Sequence, residues 1–90
     1  MYEIIYSPQA IEDLLRLQRS EPAAYKKVCK FIEELKEHPK TGTGHPEQLK
    51  GDRAGQWSCT ITKKHRLIYE IIEKTVHVDI LSAYGHYDDK

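Results

Sequence analysis

The chain has 90 residues and no net formal charge; 39% of its residues are hydrophobic and 31% are charged. This length predicts one domain, residues 1–90, and the composition excludes a disordered chain. No apolar stretch approaches the roughly 18 residues that span a membrane, and the N-terminus lacks the features of a secretory signal. We therefore expect a cytoplasmic protein with no membrane association, in which Cys29 and Cys59 are free core thiols.

The charges are unevenly distributed along the chain. Residues 39–69 contain six Lys or Arg and two Asp or Glu, whereas residues 1–38 contain six and seven, and residues 70–90 contain two and five. A basic middle third is the pattern expected of phosphate binding. Because the excess charge is modest, salt-dependent binding to free RNA or DNA is expected to be weak.

The hydrophobic pattern predicts a strand followed by two helices. Residues 2–6 alternate in the manner of a strand. Ser7 suits the N-cap and Pro8 the first position of a helix, and a second helix is predicted from near Pro22 to the His38–Pro39 step. The buried faces are predicted to be Ile11, Leu14 and Leu15 in the first helix and Ala24, Val28, Phe31, Ile32 and Leu35 in the second.

A long loop and three strands complete the chain. Residues 39–56 contain four glycines, two prolines and no clear periodicity, and so long a loop in a small domain is usually functional or disordered. Strands are predicted over residues 57–61, 65–72 and 76–81, joined by short polar turns. The order β-α-α-β-β-β predicts the α+β class, with a small antiparallel sheet that carries the helix pair on one face.

Alternation along these strands predicts the two faces of the sheet. The face toward the helices is expected to carry Trp57, Cys59, Ile61, Leu67, Tyr69, Ile71, Val76, Val78 and Ile80. The opposite face is expected to be open and to carry Ser58, Thr60, Arg66, Ile68, Glu70, His77, Asp79 and Leu81. Arg66 is therefore out of phase with the core and is predicted to point onto the open face.

Several residues have the chemistry needed to cleave RNA without a metal ion. RNA carries its own nucleophile, the 2′-hydroxyl, so cleavage needs a base for that hydroxyl, an acid for the departing 5′-oxygen and a cation for the phosphorane. The candidates are Glu47 and His86 for proton transfer and Arg66 for charge, with Lys50, His65 and Tyr87 as helpers.

Each candidate also has an ordinary interpretation. Glu47 can be a solvated loop carboxylate, His86 can lie in a frayed chain end, Arg66 can pair with Glu70 on the sheet surface, and His65 can cap a turn. The spacing contains no metal-binding signature such as HxH, HExxH or CxxC. The residues alone indicate a small domain with a basic open sheet face and leave its chemistry undecided.

The stretch GTGHPEQLKGDRAGQWSCTITKKHRLIYEI, residues 42–71, closely resembles a known motif. It is similar to the pattern GxGxPExLKxxxxGxWSxxITxxHRLVY of the YoeB/Txe branch of RelE-like bacterial toxins. The Pro46–Glu47 step, the loop glycines and the His65–Arg66 pair all fall in register. The resemblance extends, more loosely, over the whole chain.

This resemblance implies a RelE-like fold and a ribosome-dependent endoribonuclease that cuts mRNA in the A site without a cofactor or metal. It implies a cognate antitoxin of the YefM/Phd kind as partner, and a homodimer as a further candidate assembly. Glu47 is then the general base, His86 the general acid, Arg66 the stabiliser of the phosphorane, and Tyr87 a residue that orients the phosphate or stacks on RNA. Charge and stacking toward RNA are expected from Lys50, Lys63, Lys64, His65 and Tyr84.

Departures from the relatives keep two alternatives open. Thr60 and the Ala83–Gly85 segment stand where relatives often carry basic residues, so one or two phosphate contacts are missing. Asp88 and Asp89 beside His86 are expected to favour a protonated imidazole. The alternatives are a RelE-fold toxin with a non-RNA target, such as the topoisomerase-inhibiting ParE branch, and an inactive module that binds an antitoxin or RNA.

Overall fold

The computed structural model describes residues 1–85. In this part of the chain the elements are β1 (Glu3–Tyr6), α1 (Pro8–Ser20), α2 (Pro22–Leu35), β2 (Glu47–Gln48), β3 (Gln56–Thr60), β4 (Arg66–Ile72) and β5 (His77–Ser82). Short 3-10 turns follow β2 at Gly51–Arg53 and β4 at Glu73–Thr75. No helix within residues 1–85 is long and apolar enough to cross a membrane.

The sheet has the strand order β1-β5-β4-β3-β2. The predicted α+β class, with two helices against a sheet, is confirmed, but the sheet is mixed because β1 runs parallel to β5, from Glu3 opposite His77 to Tyr6 opposite Ile80. The remaining pairs are antiparallel. Short hairpin connections impose antiparallel pairing on β3, β4 and β5. The connection from β1 to β5 contains both helices and the other strands, and so long a connection allows parallel pairing.

The N-terminus of α1 is fixed by Ser7. Its hydroxyl accepts a hydrogen bond from the N–H of Ala10 at 3.0 Å and donates one to the carbonyl of Leu81 at 2.9 Å, while its own N–H donates to Ile80. The predicted N-cap is thereby confirmed, and the same residue attaches α1 to β5.

The predicted buried face of α1 is partly wrong: Leu14 is half-buried against the core, as predicted, but Ile11 and Leu15 are not. The helix buries Ala10, Asp13 and Leu17, whereas Ile11 and Leu15 are each 50% exposed. Both sets have helical spacing, so periodicity alone does not choose between them. The attachment of Ser7 to β5 sets the rotation of the helix and leaves an apolar groove between α1 and α2, lined in part by Ile11, Leu15 and Tyr25.

The second helix supplies the predicted core residues. Ala24, Val28, Phe31, Ile32 and Leu35 are all buried, as predicted, although α2 ends at Leu35 rather than at His38–Pro39. They pack against Cys59, Ile61, Leu67, Tyr69, Val78 and Ile80 from the sheet. Both cysteines are free, as predicted, but only Cys59 lies in the core; Cys29 is exposed.

Two predictions for the sheet faces are wrong. Val76 is 47% exposed and has a positive φ of 52°, because it closes the turn between β4 and β5 instead of joining the strand. On the face away from the helices, Ser58 and Ile68 are buried, at 3% and 1% exposed, as is Leu49 beyond β2. The second face is therefore covered near its middle, and its polar residues surround a small apolar patch.

Candidate functional site

Glu47 and Arg66 lie on the same face of the sheet. Glu47 is opposite Ser58, Ser58 is opposite Ile68, and Arg66 is two residues before Ile68 on β4. Residues directly opposite in an antiparallel pair share a face, as do residues two apart in a strand. Two strand spacings of about 4.8 Å and a shift of about 7 Å along β4 separate the two backbones, so the long side chains can approach one phosphodiester from two sides.

The segment that leads to Glu47 is attached to the core. We call residues 36–46 the Glu47 loop. The Tyr69 hydroxyl donates a 2.7 Å hydrogen bond to the carbonyl of Pro39, and the N–H of Thr43 donates a 3.0 Å bond to the Glu34 carboxylate. Gly44 is buried so closely that a Cβ atom there would lie 3.1 Å from the Cβ and Sγ of Cys59. Packing therefore restrains the loop before it reaches β2.

The Glu47 side chain itself is exposed. It lies on a two-residue strand at the edge of the sheet, where only β3 pairs with it. The long loop predicted over residues 39–56 thus contains β2 and one 3-10 turn. An accessible carboxylate on a restrained backbone is suited to taking a proton from a bound substrate.

The Arg66 side chain is oriented by Thr60. The guanidinium Nη1 donates a 2.7 Å hydrogen bond to the Thr60 hydroxyl, from the residue directly opposite on β3. Thr60 therefore positions a cation in this chain. The N–H of Arg66 donates a 3.0 Å bond to the carbonyl of Gly85, so the end of the described chain lies beside the first residue of β4.

His65 occupies a buried position, with 2% of its surface exposed. Its Nδ1 accepts a 2.8 Å hydrogen bond from the N–H of Gly85, and its Nε2 lies 2.7 Å from the Glu21 carboxylate. An Nδ1 that accepts a hydrogen bond carries no proton, so Nε2 carries it and donates to Glu21. The predicted RNA contact of His65 is therefore replaced by a structural contact between the helix pair and the chain end.

The contact with His65 changes the pKa of Glu21. The hydrogen bond from His65 holds the pKa of the Glu21 carboxyl below its ordinary value, and the nearby charge of Lys64, 3.9 Å away, acts in the same direction. The carboxylate therefore remains an acceptor for His65 at neutral pH.

Tyr84 and Ala83 are held by α1. The Arg16 guanidinium lies 4.5 Å from the centre of the Tyr84 ring, and the His65 ring is 4.3 Å from it. The N–H of Ala83 donates a 2.9 Å hydrogen bond to the Asp13 carboxylate, which is 4% exposed. Tyr84, predicted to stack on RNA, is half-buried against protein groups on this side.

The remaining predicted residues are distributed around this region. Lys50, Lys63 and Lys64 are exposed, the first beside the 3-10 turn after β2 and the others in the turn before β4. Their predicted contribution to positive charge stays a prediction. His86 and Tyr87 lie outside the described residues.

Neither a reactive thiol nor a metal cluster contributes to this site in the part of the chain that the structure describes. Burial raises the pKa of the Cys59 thiol to about 11, so it stays protonated and unreactive at neutral pH. Among residues 1–85, no three His, Cys, Asp or Glu side chains come together in a way that could hold a metal ion.

The sequence did not lead us to predict a role for Asp13, Arg16 or Glu21. Asp13 had a detectable signal, because it shares helical spacing with Ala10 and Leu17, and a carboxylate on a buried helix face needs a partner. Arg16 and Glu21 have no such signal, since each meets its partner only across the tertiary structure.

Comparison with known proteins identifies first the fold and then the family of this chain. An archaeal RelE–RelB complex from Pyrococcus horikoshii shares the fold, with a TM-score of 0.74 at 19% identity over 98% of both chains. The family model described as YoeB-like toxin of bacterial type II toxin-antitoxin system matches residues 6–87. The chain belongs to that family, which confirms the resemblance found in the sequence.

Individual relatives are similar over most of their length. Toxin YoeB of Escherichia coli strain K12 is 32% identical over 74 residues, 82% of this chain and 88% of the relative. The structure of a YoeB/ParE toxin from Agrobacterium tumefaciens has a TM-score of 0.88 at 30% identity, over 94% of this chain and 99% of that one. YoeB of Staphylococcus aureus, 32% identical with a TM-score of 0.81, has been solved in complex with YefM (97% and 99% covered) and as a dimer (96% and 98%).

Proposed function

We propose that this chain is a ribosome-dependent endoribonuclease that cleaves mRNA in the A site by metal-free acid–base chemistry and so inhibits translation. The proposal is supported most by one observation: Glu47 and Arg66 share a sheet face, and Gly85, the residue before His86, is hydrogen-bonded to Arg66. A base and a cation thus lie on one face of the sheet, and the segment that leads to the acid begins beside the cation.

In this proposal, Glu47 accepts the proton of the 2′-hydroxyl, whose oxygen attacks the adjacent phosphorus. Arg66 stabilises the additional negative charge of the phosphorane. The bond from phosphorus to the 5′-oxygen then breaks, and His86 gives its proton to that oxygen. The products are a 2′,3′-cyclic phosphate and a free 5′-hydroxyl, with Tyr87 orienting the phosphate.

The test is a reconstituted translation reaction with one defined mRNA, in which fragment ends are mapped by primer extension with and without ribosomes. We expect A-site cuts by the wild type, lost in Glu47→Gln, Arg66→Ala and His86→Gln. Glu37→Gln, which changes an exposed carboxylate beyond α2, is the matched control and should cleave normally. Intact mRNA with stalled translation would instead indicate the inactive binding module, or a target other than RNA.

We also propose a YefM/Phd-like antitoxin as partner, in the cytoplasm. Support comes from the Staphylococcus aureus YoeB–YefM complex and from the basic residues 39–69, which suit an acidic, partly disordered segment. A homodimer is supported by the dimer of the same relative and by the exposed Ile11 and Leu15. Light scattering over a concentration range, with Leu15→Glu as the variant, tests the dimer; an unchanged mass in that variant would place the interface elsewhere.

A further inference from the structure

The three residues after β5 are held by side chains that lie outside the proposed catalytic set. We call residues 83–85 the tail root. The N–H of Ala83 donates to the Asp13 carboxylate at 2.9 Å, and the N–H of Gly85 donates to Nδ1 of His65 at 2.8 Å. Both acceptors are more than nine-tenths buried. The backbone N–H groups of Ala83 and Gly85, with one residue between them, are therefore attached to two different parts of the fold, α1 and the turn before β4.

Each acceptor is itself held in place. The other oxygen of Asp13 accepts a 2.8 Å hydrogen bond from the Gln9 amide, one turn earlier in α1. The other nitrogen of His65 lies 2.7 Å from Glu21, which separates α1 from α2. An acceptor that is bonded on both sides has little freedom to rotate, so it transmits the position of the helix pair to the tail root.

The direction of the tail root is set by a third bond. The carbonyl of Gly85 accepts from the N–H of Arg66 at 3.0 Å. This bond joins the last residue of the tail root to the first residue of β4, which carries the proposed cation. The Tyr84 ring, between Arg16 and His65, adds an aromatic contact on the same segment.

We propose that Asp13 and His65 are positioning residues of the nuclease, which hold the tail root so that His86 meets the phosphate at Arg66. This inference rests on the proposed function, in which His86 is the general acid. Neither residue touches RNA in this proposal; both act through the backbone of Ala83 and Gly85. Because a displacement of about 1 Å in a reacting group can cost about 10²-fold in rate, loss of either attachment should slow cleavage without weakening binding.

The experiment measures single-turnover cleavage of ribosome-bound mRNA against toxin concentration, which separates the maximal rate from the half-saturating concentration. His65→Leu fills the buried site but removes the acceptor for Gly85, whereas the amide oxygen of His65→Asn can replace Nδ1. We expect a fall of about 10²-fold in maximal rate for His65→Leu, an unchanged half-saturating concentration, and recovery in His65→Asn. Asp13→Ala and Asp13→Asn form the corresponding pair for Ala83.

Two comparisons separate positioning from other effects. Val28→Ala lowers stability in the core of α2, away from the tail root, and should keep the wild-type rate while folded. In a His86→Gln background, His65→Leu should cause no further loss, because its effect passes through His86. If the two losses multiply, or if His65→Asn is as slow as His65→Leu, the proposal is wrong.

The proposed function and this inference can fail separately. If the wild type does not cleave mRNA, the proposed function is wrong; if it cleaves and His65→Leu cleaves equally fast, only the positioning role is wrong. Amide hydrogen exchange of the wild type gives a readout that needs no variant. The Gly85 and Ala83 amides should be protected, and exchange as fast as in an unstructured peptide would overturn the attachment itself.

Discussion

The Glu47 loop and the tail root lead to the proposed base and the proposed acid, but they are attached in different ways. The loop is held by packing against the core, through Gly44 against Cys59 and the Tyr69 bond to Pro39. The tail root is held by hydrogen bonds from its backbone to Asp13 and His65. The loop connects two elements of the core, whereas the tail root follows β5, the last strand among residues 1–85.

The two kinds of attachment predict different effects of substitutions on stability. Loosening the loop disturbs residues that the core needs, so the whole domain should lose stability. Releasing the tail root breaks two hydrogen bonds outside the paired strands, and local opening there need not unfold the rest. Base and acid would thus be lost by separate routes, whereas the proposed mechanism needs Arg66 with either of them.

The largest expected effect is on activity, for Arg66→Ala, which removes the proposed cation. Loss of the cation should slow cleavage about 10²–10³-fold, or about 2.7–4 kcal/mol of transition-state stabilisation. Cleavage of ribosome-bound mRNA is the measurement. Arg19→Ala, at an exposed arginine of α1, should retain the wild-type rate; a comparable loss there would point to general electrostatic binding instead.

Gly44→Ala should break the loop attachment. The added Cβ atom would lie 3.1 Å from Cys59 and 3.3 Å from Phe31, and overpacking of this kind typically costs about 1–3 kcal/mol. In a domain of this size, thermal denaturation should show a fall of about 4–8 °C in Tm for each kcal/mol.

Cys59→Ala provides the control for Gly44→Ala, because it removes the Sγ atom from the contact. The double variant should lose less stability than the sum of the single variants. Simple additivity would mean that the loop moves away from the core instead of being compressed against it.

Tyr69→Phe should weaken the same attachment without changing the packing. It removes the hydroxyl bond to the buried Pro39 carbonyl, and an unsatisfied buried group costs about 1–3 kcal/mol. Chemical denaturation measures the free energy of unfolding. Tyr2→Phe removes an exposed hydroxyl bonded to Glu73 and should change stability by no more than about 0.5 kcal/mol; equal losses in both variants would contradict the distinction.

Glu21→Gln should have the smallest effect, and one that depends on pH. The hydrogen bond from His65 lowers the pKa of Glu21 from its ordinary 4.5, so the charged form adds stability above that pH and the contribution is lost as pH falls through the lowered pKa. We expect the wild type to have the higher Tm at neutral pH and the two to converge in acid. A Tm difference that is constant with pH would show that the charge of Glu21 does not stabilise the fold.

The two segments also differ in how far they could be predicted. The loop motif, with Glu47, Gly44 and the His65–Arg66 pair, is continuous in sequence, and its resemblance to the YoeB family is confirmed by the family match. The supports of the tail root are not continuous. Asp13 meets Ala83 across 70 positions and Glu21 meets His65 across 44, so no local pattern connects them.

The sequence by itself determined the order of the elements other than β2, the buried face of α2, the N-cap at Ser7 and the family. These depend on local periodicity, capping and a contiguous motif. Only the tertiary structure decided the rotation of α1, the parallel pairing of β1 with β5, the burial of His65 and its bond to Gly85. Each of these depends on which distant groups satisfy one another's hydrogen bonds when the helix pair packs against the sheet. Such groups are far apart in the chain, so no local pattern in a single sequence identifies them.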